Sequence, residues 1–179
     1  KDDNETPAVA IDGSTLGSMY GGKIQLISTE SGAGVRHEGG IIASKDIEIS
    51  ADGDISLTTL HSDQGINIAG RNITLSKDTG GKGGTEAHND IIINALAGVT
   101  ISNDVLSHSG TIRIDASSLL QNAAALITES TNKTAIPAIQ INVAGQYTLT
   151  GTLKALDANG NVIPGGVVTL KNGDFVVLV

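Results

Sequence analysis

A chain of 179 residues with a formal charge of −8, 23 glycines, 3 prolines and no cysteine has room for one core and excludes a disulfide framework. Its acidic and basic residues are scattered, with no basic stripe interleaved with aromatics, which argues against a nucleic-acid partner. Aromatic residues make up 2% of the chain, so the interior must be narrow and lined by aliphatic side chains rather than by large rings.

In chain order, residues 1–10 read as a flexible lead-in. Glycine interrupts every helical turn between residues 8 and 30, and the first clear strand runs from Lys23 to Ser28. Short strands of alternating apolar and polar residues then recur: Ile47-Glu48-Ile49, Ile66-Asn67-Ile68, Ile91-Ile92-Ile93, Ile112-Arg113-Ile114 and Ile139-Gln140-Ile141. A second series lies between them: Ile55-Ser56-Leu57, Ile73-Thr74-Leu75, Val99-Thr100-Ile101 and Tyr147-Thr148-Leu149. The repeat interval is about 18–21 residues, the range in which repeats build solenoids. Each coil can bury its inward face only against the coils above and below it. The expected fold is all-β, a right-handed parallel β-helix over residues 11–127, with a less regular C-terminal β region.

The glycine-rich stretch from Lys77 to Asn89 is expected to bulge from one corner. Residues 117–128, with Leu119, Leu120, Ala123 to Ala125 and Leu126, fit either a short amphipathic helix or one more coil with alanines inward. Residues 128–138 read as a loop, and 139–179 as further coils or a small β appendage. Within that last segment Asn159-Gly160 predicts a tight hairpin turn between Leu153-Lys154-Ala155 and Val162-Ile163. The apolar end, Phe175 to Val179, carries no polar cap, which suits a longer native chain or a packing partner.

All four histidines precede an inward strand: His37 before Ile41, His61 before Ile66, His88 before Ile91 and His108 before Ile112. This spacing predicts a corner ladder, continued by Asn122, with side chains about 4.7–4.9 Å apart. A ladder diverges where metal ligands must converge, so turn hydrogen bonding is its reading rather than metal binding. Like-charge repulsion along such a stack would weaken the rod in acid.

Other motifs fail on their chemistry. Gly80-Gly81-Lys82-Gly83-Gly84-Thr85 lacks the Gly-Lys-Ser/Thr order of a phosphate loop and the Asp of a calcium nonapeptide. Gly32-Ala33-Gly34 lacks the third glycine of a dinucleotide fingerprint, His37 standing in its place. Asp46, Asp54 and Asp90 each precede a strand, an ordinary turn place, and Arg71 and Arg113 do not align. Asn72-Ile73-Thr74 and Asn132-Lys133-Thr134 match a glycosylation sequon that is too common to carry weight. No catalytic, cofactor-binding or metal-ligating residue is assigned, and no cofactor is expected.

The run Leu16-Gly17-Ser18-Met19-Tyr20-Gly21-Gly22-Lys23-Ile24, followed by Thr29-Glu30-Ser31-Gly32-Ala33-Gly34-Val35-Arg36, resembles filamentous-haemagglutinin-type exoproteins of two-partner secretion. It is similar to the stretch that joins their amino-terminal secretion domain to the repeat rod. The family's turn asparagines are replaced here by the four histidines, and its Asn-Pro-Asn motifs are absent. The resemblance implies export of the unfolded chain through an outer-membrane transporter and display at the bacterial surface. Absence of cysteine suits such threading. The function expected is a non-catalytic structural or adhesive rod segment that holds a distal binding or toxin region away from the cell. A host or neighbouring-cell receptor is a further expected partner. A carbohydrate-active β-helix enzyme, or a receptor-binding module in residues 139–179, are the alternatives.

Overall fold

The computed structural model describes residues 8–13, 17–129, 137–170 and, for the backbone alone, 175–177. The start of the lead-in, the sequon at Asn132 and most of the 128–138 loop fall outside these residues. The described chain forms strands β1 (Val9–Asp12), β2 (Met19–Gly21), β3 (Ile24–Ser28), β4 (Gly34–Ala43), β5 (Ile47–Ala51), β6 (Ile55–Ser62), β7 (Ile66–Gly70), β8 (Ile73–Leu75) and β9 (Gly84–Ala87). It continues with β10 (Ile91–Ala95), β11 (Gly98–Ile101), β12 (Asp104–Ser107), β13 (Ile112–Ala116), β14 (Ser118–Thr128), β15 (Ile139–Val143), β16 (Tyr147–Ala155), β17 (Gly166–Leu170) and β18 (Phe175–Val177). Among the described residues there is no helix.

One sheet of seven strands runs β17-β15-β13-β10-β7-β5-β3, one strand for each coil. Its register is unslipped: Ile24, Ile47, Ile66, Ile91, Ile112 and Ile139 lie over one another. Leu26, Ile49, Ile68, Ile93, Ile114 and Ile141 form the neighbouring inward column. Period-2 alternation puts these side chains on one face, and the β-branched residues suit the pleat. A one-residue slip would turn the whole column to solvent, so burial fixes the register.

The other sheet, of eleven strands, makes the remaining two walls because β4, β6, β14 and β16 each run through a corner. On its first wall Val35, Ile55, Ile73, Val99, Leu119 and Tyr147 stack. On its second wall Ile41, Leu60, Thr85, Val105, Leu126 and Leu153 stack. Between the two walls the register breaks at His37–Gly40 and again at Asn122–Ala125. At the second break Ala123 takes a φ of 50°, and its N–H is held by Thr150 Oγ1 at 2.8 Å. Every strand ladder is parallel. Among the described residues the one antiparallel contact is the isolated bridge Leu156–Val162.

Several sequence expectations change in detail. Residues 118–128 are β14, one more coil and not a helix. Leu119, Gln121, Ala124 and Leu126 face inward, while Ala123 is consumed by the bulge. The glycine-rich loop is shorter than expected, because Gly84–Ala87 already pairs with both β6 and β12. The Asn159-Gly160 turn exists, but five residues close it. Asp157 N–H bonds the Asn161 carbonyl at 2.9 Å, and a φ of 78° at Gly160 completes the loop. That loop is fastened by Asp157 Oδ1, which accepts from Asn159 and Asn161 N–H.

Candidate functional site

A solenoid filled by its own side chains has no central pocket, so chemistry must sit on its walls and corners. The wall of β3, β5 and β7 carries a groove of about 390 Å³ lined by Lys23, Asp46, Glu48, Asn67, Asn89 and Asp90. Two of the three strand-entry aspartates therefore share one place. Each is engaged in fastening the next coil. Asp46 Oδ1 accepts the Gly65 N–H at 3.1 Å, and Asp90 Oδ1 accepts Thr111 N–H at 2.7 Å and Thr111 Oγ1–H at 3.0 Å. Glu48 binds Gln25 Nε2 at 2.5 Å and Lys23 Nζ at 3.5 Å, and Gln25 followed by Lys23 hold its carboxyl below the usual range.

The third aspartate, Asp54, lies on another wall, where Oδ1 takes Arg71 Nε and Asn72 Nδ2, each at 3.0 Å. The Arg71 guanidinium first, against opposing burial, and then Asn72 hold this carboxyl low. Glycoside cleavage by two carboxyls needs one of them raised to act as an acid. Glu48 and Asp54 are both displaced the other way. Arg113 is occupied within its own strand, with Nε 2.6 Å from Asp115 Oδ2.

The histidines do not form one ladder. His37 points into the core, 1% exposed, in the inward column of Leu57, Leu75 and Ile101. A Cβ at Gly13 would collide with its Nδ1. His61 faces outward on the second wall, between Ile42 and Glu86 in register. His88 and His108 share a corner, where their N–H groups bond the Ser62 and Ala87 carbonyls. The next residue at that corner is Glu129, whose N–H bonds the Ser107 carbonyl, and not Asn122, which pairs with Thr150 on another wall. Counting back from the strand entrance failed because coils differ in corner length. His37 was counted back from Ile41, which stacks on Leu60 in the eleven-stranded sheet, whereas Ile66, Ile91 and Ile112 belong to the seven-stranded sheet.

Glu86 was missed from sequence, yet two imidazoles reach it, and one of them carries on to Glu129. His108 Nε2 is 2.7 Å from Glu86 Oε1, His108 Nδ1 is 2.6 Å from Glu129 Oε2, and His61 Nδ1 is 3.6 Å from Glu86 Oε2. His108 is raised by its hydrogen bond to Glu86, with burial opposing and Glu129 adding. Glu86 is lowered, first by the hydrogen bond from His108, against burial, and then by His61. Among the described residues no three His, Cys, Asp or Glu side chains are placed to hold a metal ion.

The glycine-rich loop is organised from within. Asp78 Oδ1 takes the N–H groups of Gly80 and Lys82 at 2.9 and 2.7 Å, the pattern that Asp157 repeats in its own loop. N–H groups so occupied cannot cradle a phosphate. Gly32, from the glycine pair tested as a dinucleotide fingerprint, gives its N–H to Asp52 Oδ2 at 2.7 Å.

Comparison with known proteins adds what geometry alone does not. The family model of the TPS secretion domain matches residues 2–57. The chain is 35% identical over 123 residues to the protein adenylyltransferase and cysteine protease IbpA of Histophilus somni, covering 68% of this chain and 2% of that protein. It is 30% identical over 178 residues to the tRNA nuclease CdiA of Escherichia coli strain STEC_O31, covering 98% of this chain and 5% of the relative. Filamentous hemagglutinin of Bordetella pertussis is 46% identical over 50 residues, 28% of this chain and 1% of its own length. The chain thus spans only a small part of the relatives it matches. No solved structure matches it.

Proposed function

Starting from the chain's kinship with the exoproteins of two-partner secretion, we propose that it is a non-catalytic rod segment of a secreted bacterial surface protein. It is exported through an outer-membrane transporter and displays a binding or toxin region beyond itself. The observation that carries this reading is the secretion-domain match over residues 2–57, whose strands β3 and β5 continue in register into β7 and the coils that follow. The matched segment and the rod share one inward column, so the first coils serve as template for the rest. The walls support a structural role, because Asp46, Asp54 and Asp90 each hold a neighbouring coil.

The test is export with and without the transporter. In cells that carry both genes, antibody against this segment should label intact cells or the medium, and the label should disappear when the transporter gene is deleted. Labelling that persists in the deletion strain overturns the export reading. A fall in viscosity of an acidic polysaccharide incubated with the purified chain overturns the non-catalytic one.

A further inference from the structure

Counting each β3-type strand as the start of a coil, Glu86 belongs to the third coil, His108 to the fourth and Glu129 to the fifth. Both ring nitrogens of His108 lie at hydrogen-bonding distance from a carboxylate oxygen, at 2.7 and 2.6 Å. A neutral imidazole has one N–H and one lone pair, so one of these contacts would set lone pair against anion. The imidazolium, with two N–H groups, satisfies both. The surrounding charges are His61 and Asp63 of the second coil, 3.4 Å apart, and Lys154 of β16, which follows Ile127 in the outward column. His88, one coil before His108 at the same corner, turns its Nε2 to Ser109 Oγ at 3.3 Å.

We propose that Glu86, His108 and Glu129 form a proton-operated clasp across three coils, closed when His108 is charged and open when it is neutral. This goes beyond the export and display role and holds whether or not that role is correct. The sign follows from the displaced groups. His108 is raised, so its contribution is fully present below the ordinary imidazole value of 6.5 and is lost as pH rises through its value in the folded chain. Glu86 is lowered, so its contribution is present above the ordinary carboxyl value of 4.5 and is lost as pH falls through its own folded value. The clasp is therefore tightest between these two limits and slackens in alkali. This reverses the acid weakening expected of a stack of four histidines.

Thermal unfolding of the 179-residue chain, followed by circular dichroism at pH 6 and pH 9, tests the clasp. The midpoint should fall by about 2–4 °C at the higher pH. His108→Gln should remove most of that difference, since a side-chain amide does not titrate between the two pH values. A difference that survives unchanged in His108→Gln overturns the proposal. An NMR titration of the parent chain reads the ring directly, even if the variant fails to fold. His108 ring protons should titrate above 6.5, and titration at or below that value overturns the clasp.

Discussion

Tyr147 is buried within the stacked columns, where it takes the place that Val35, Ile55, Ile73, Val99 and Leu119 occupy in earlier coils. Its hydroxyl donates to Gln121 Oε1 at 2.7 Å, and Gln121 is itself fully buried. Gln121 Nε2 in turn donates to the carbonyls of Ala124 at 2.8 Å and Thr152 at 3.0 Å, the two sides of the bulge. Burial pushes the phenol above its ordinary value, so it stays a donor across the working range of pH. Tyr147→Phe keeps the ring and removes that donor, leaving Gln121 Oε1 desolvated in the core. Loss of one partner from a buried pair costs about 1–3 kcal/mol. For a domain of this size each kcal/mol lowers the midpoint by about 2–4 °C. Urea unfolding of the parent, Tyr147→Phe, Gln121→Leu and the double variant measures the coupling. The double variant should be less destabilised than the sum of the singles by about 1 kcal/mol, because each single leaves a partner stranded. Additive losses, or a Tyr147→Phe chain within about 0.5 kcal/mol of the parent, would refute the reasoning.

Two further substitutions probe the stack itself. Ile93 is fully buried between Ile68 and Ile114, and Ile93→Ala should cost about 2–5 kcal/mol in a urea titration, with the surrounding coils unable to close the gap. At Gly110 a Cβ would fall on the Asn89–Asp90 backbone, whereas at Gly22 it would meet nothing within 4 Å. Gly110→Ala should therefore lower the thermal midpoint sharply and Gly22→Ala should leave it nearly unchanged. Equal effects would mean that the coils at that corner are further apart than described.

The stacked columns were legible in the sequence because period-2 alternation and a repeat near twenty residues are both set by backbone geometry that every coil shares. Ile47, Ile66, Ile91, Ile112 and Ile139 fall in register as read, and so does the second series through Tyr147. The corners were not legible, because their lengths differ from coil to coil and side-chain placement there depends on the bulges. His37 shows a related difficulty: its reference residue Ile41 lies in the eleven-stranded sheet, so His37 falls in the inward column of Leu57 on a wall and not at the corner of His88 and His108. Residues 117–128 left helix and coil both open, since Leu119, Leu120 and the alanines satisfy either period. The polar residues on neighbouring coils decide it, with Tyr147 and Asp104 supplying partners to Gln121 and the Ala125 N–H. The Glu86 cluster carries no local signal. Its members lie about twenty residues apart and meet only through the register of three strands.

The corners also explain why so many carboxylates and amides stand at strand entrances. Where the chain turns between walls, an N–H falls outside the regular strand ladder and would be left without a protein partner. A side chain of the preceding coil reaches forward to it. Asp46 takes Gly65, Asn72 takes Gly98, Asp90 takes Thr111 and Asp104 takes Ala125, at 2.7 to 3.1 Å. Asp52 does the same in reverse for Gly32. These bonds lie at exposed corners, where water is the alternative partner, so each contributes about 0.5–1.5 kcal/mol and is made only against a finished neighbour. Inward isoleucines obey the same rule, since their cover is the coil next door. Stability is then a sum of nearest-neighbour terms along the axis, and the polar corner residues are spent on those terms.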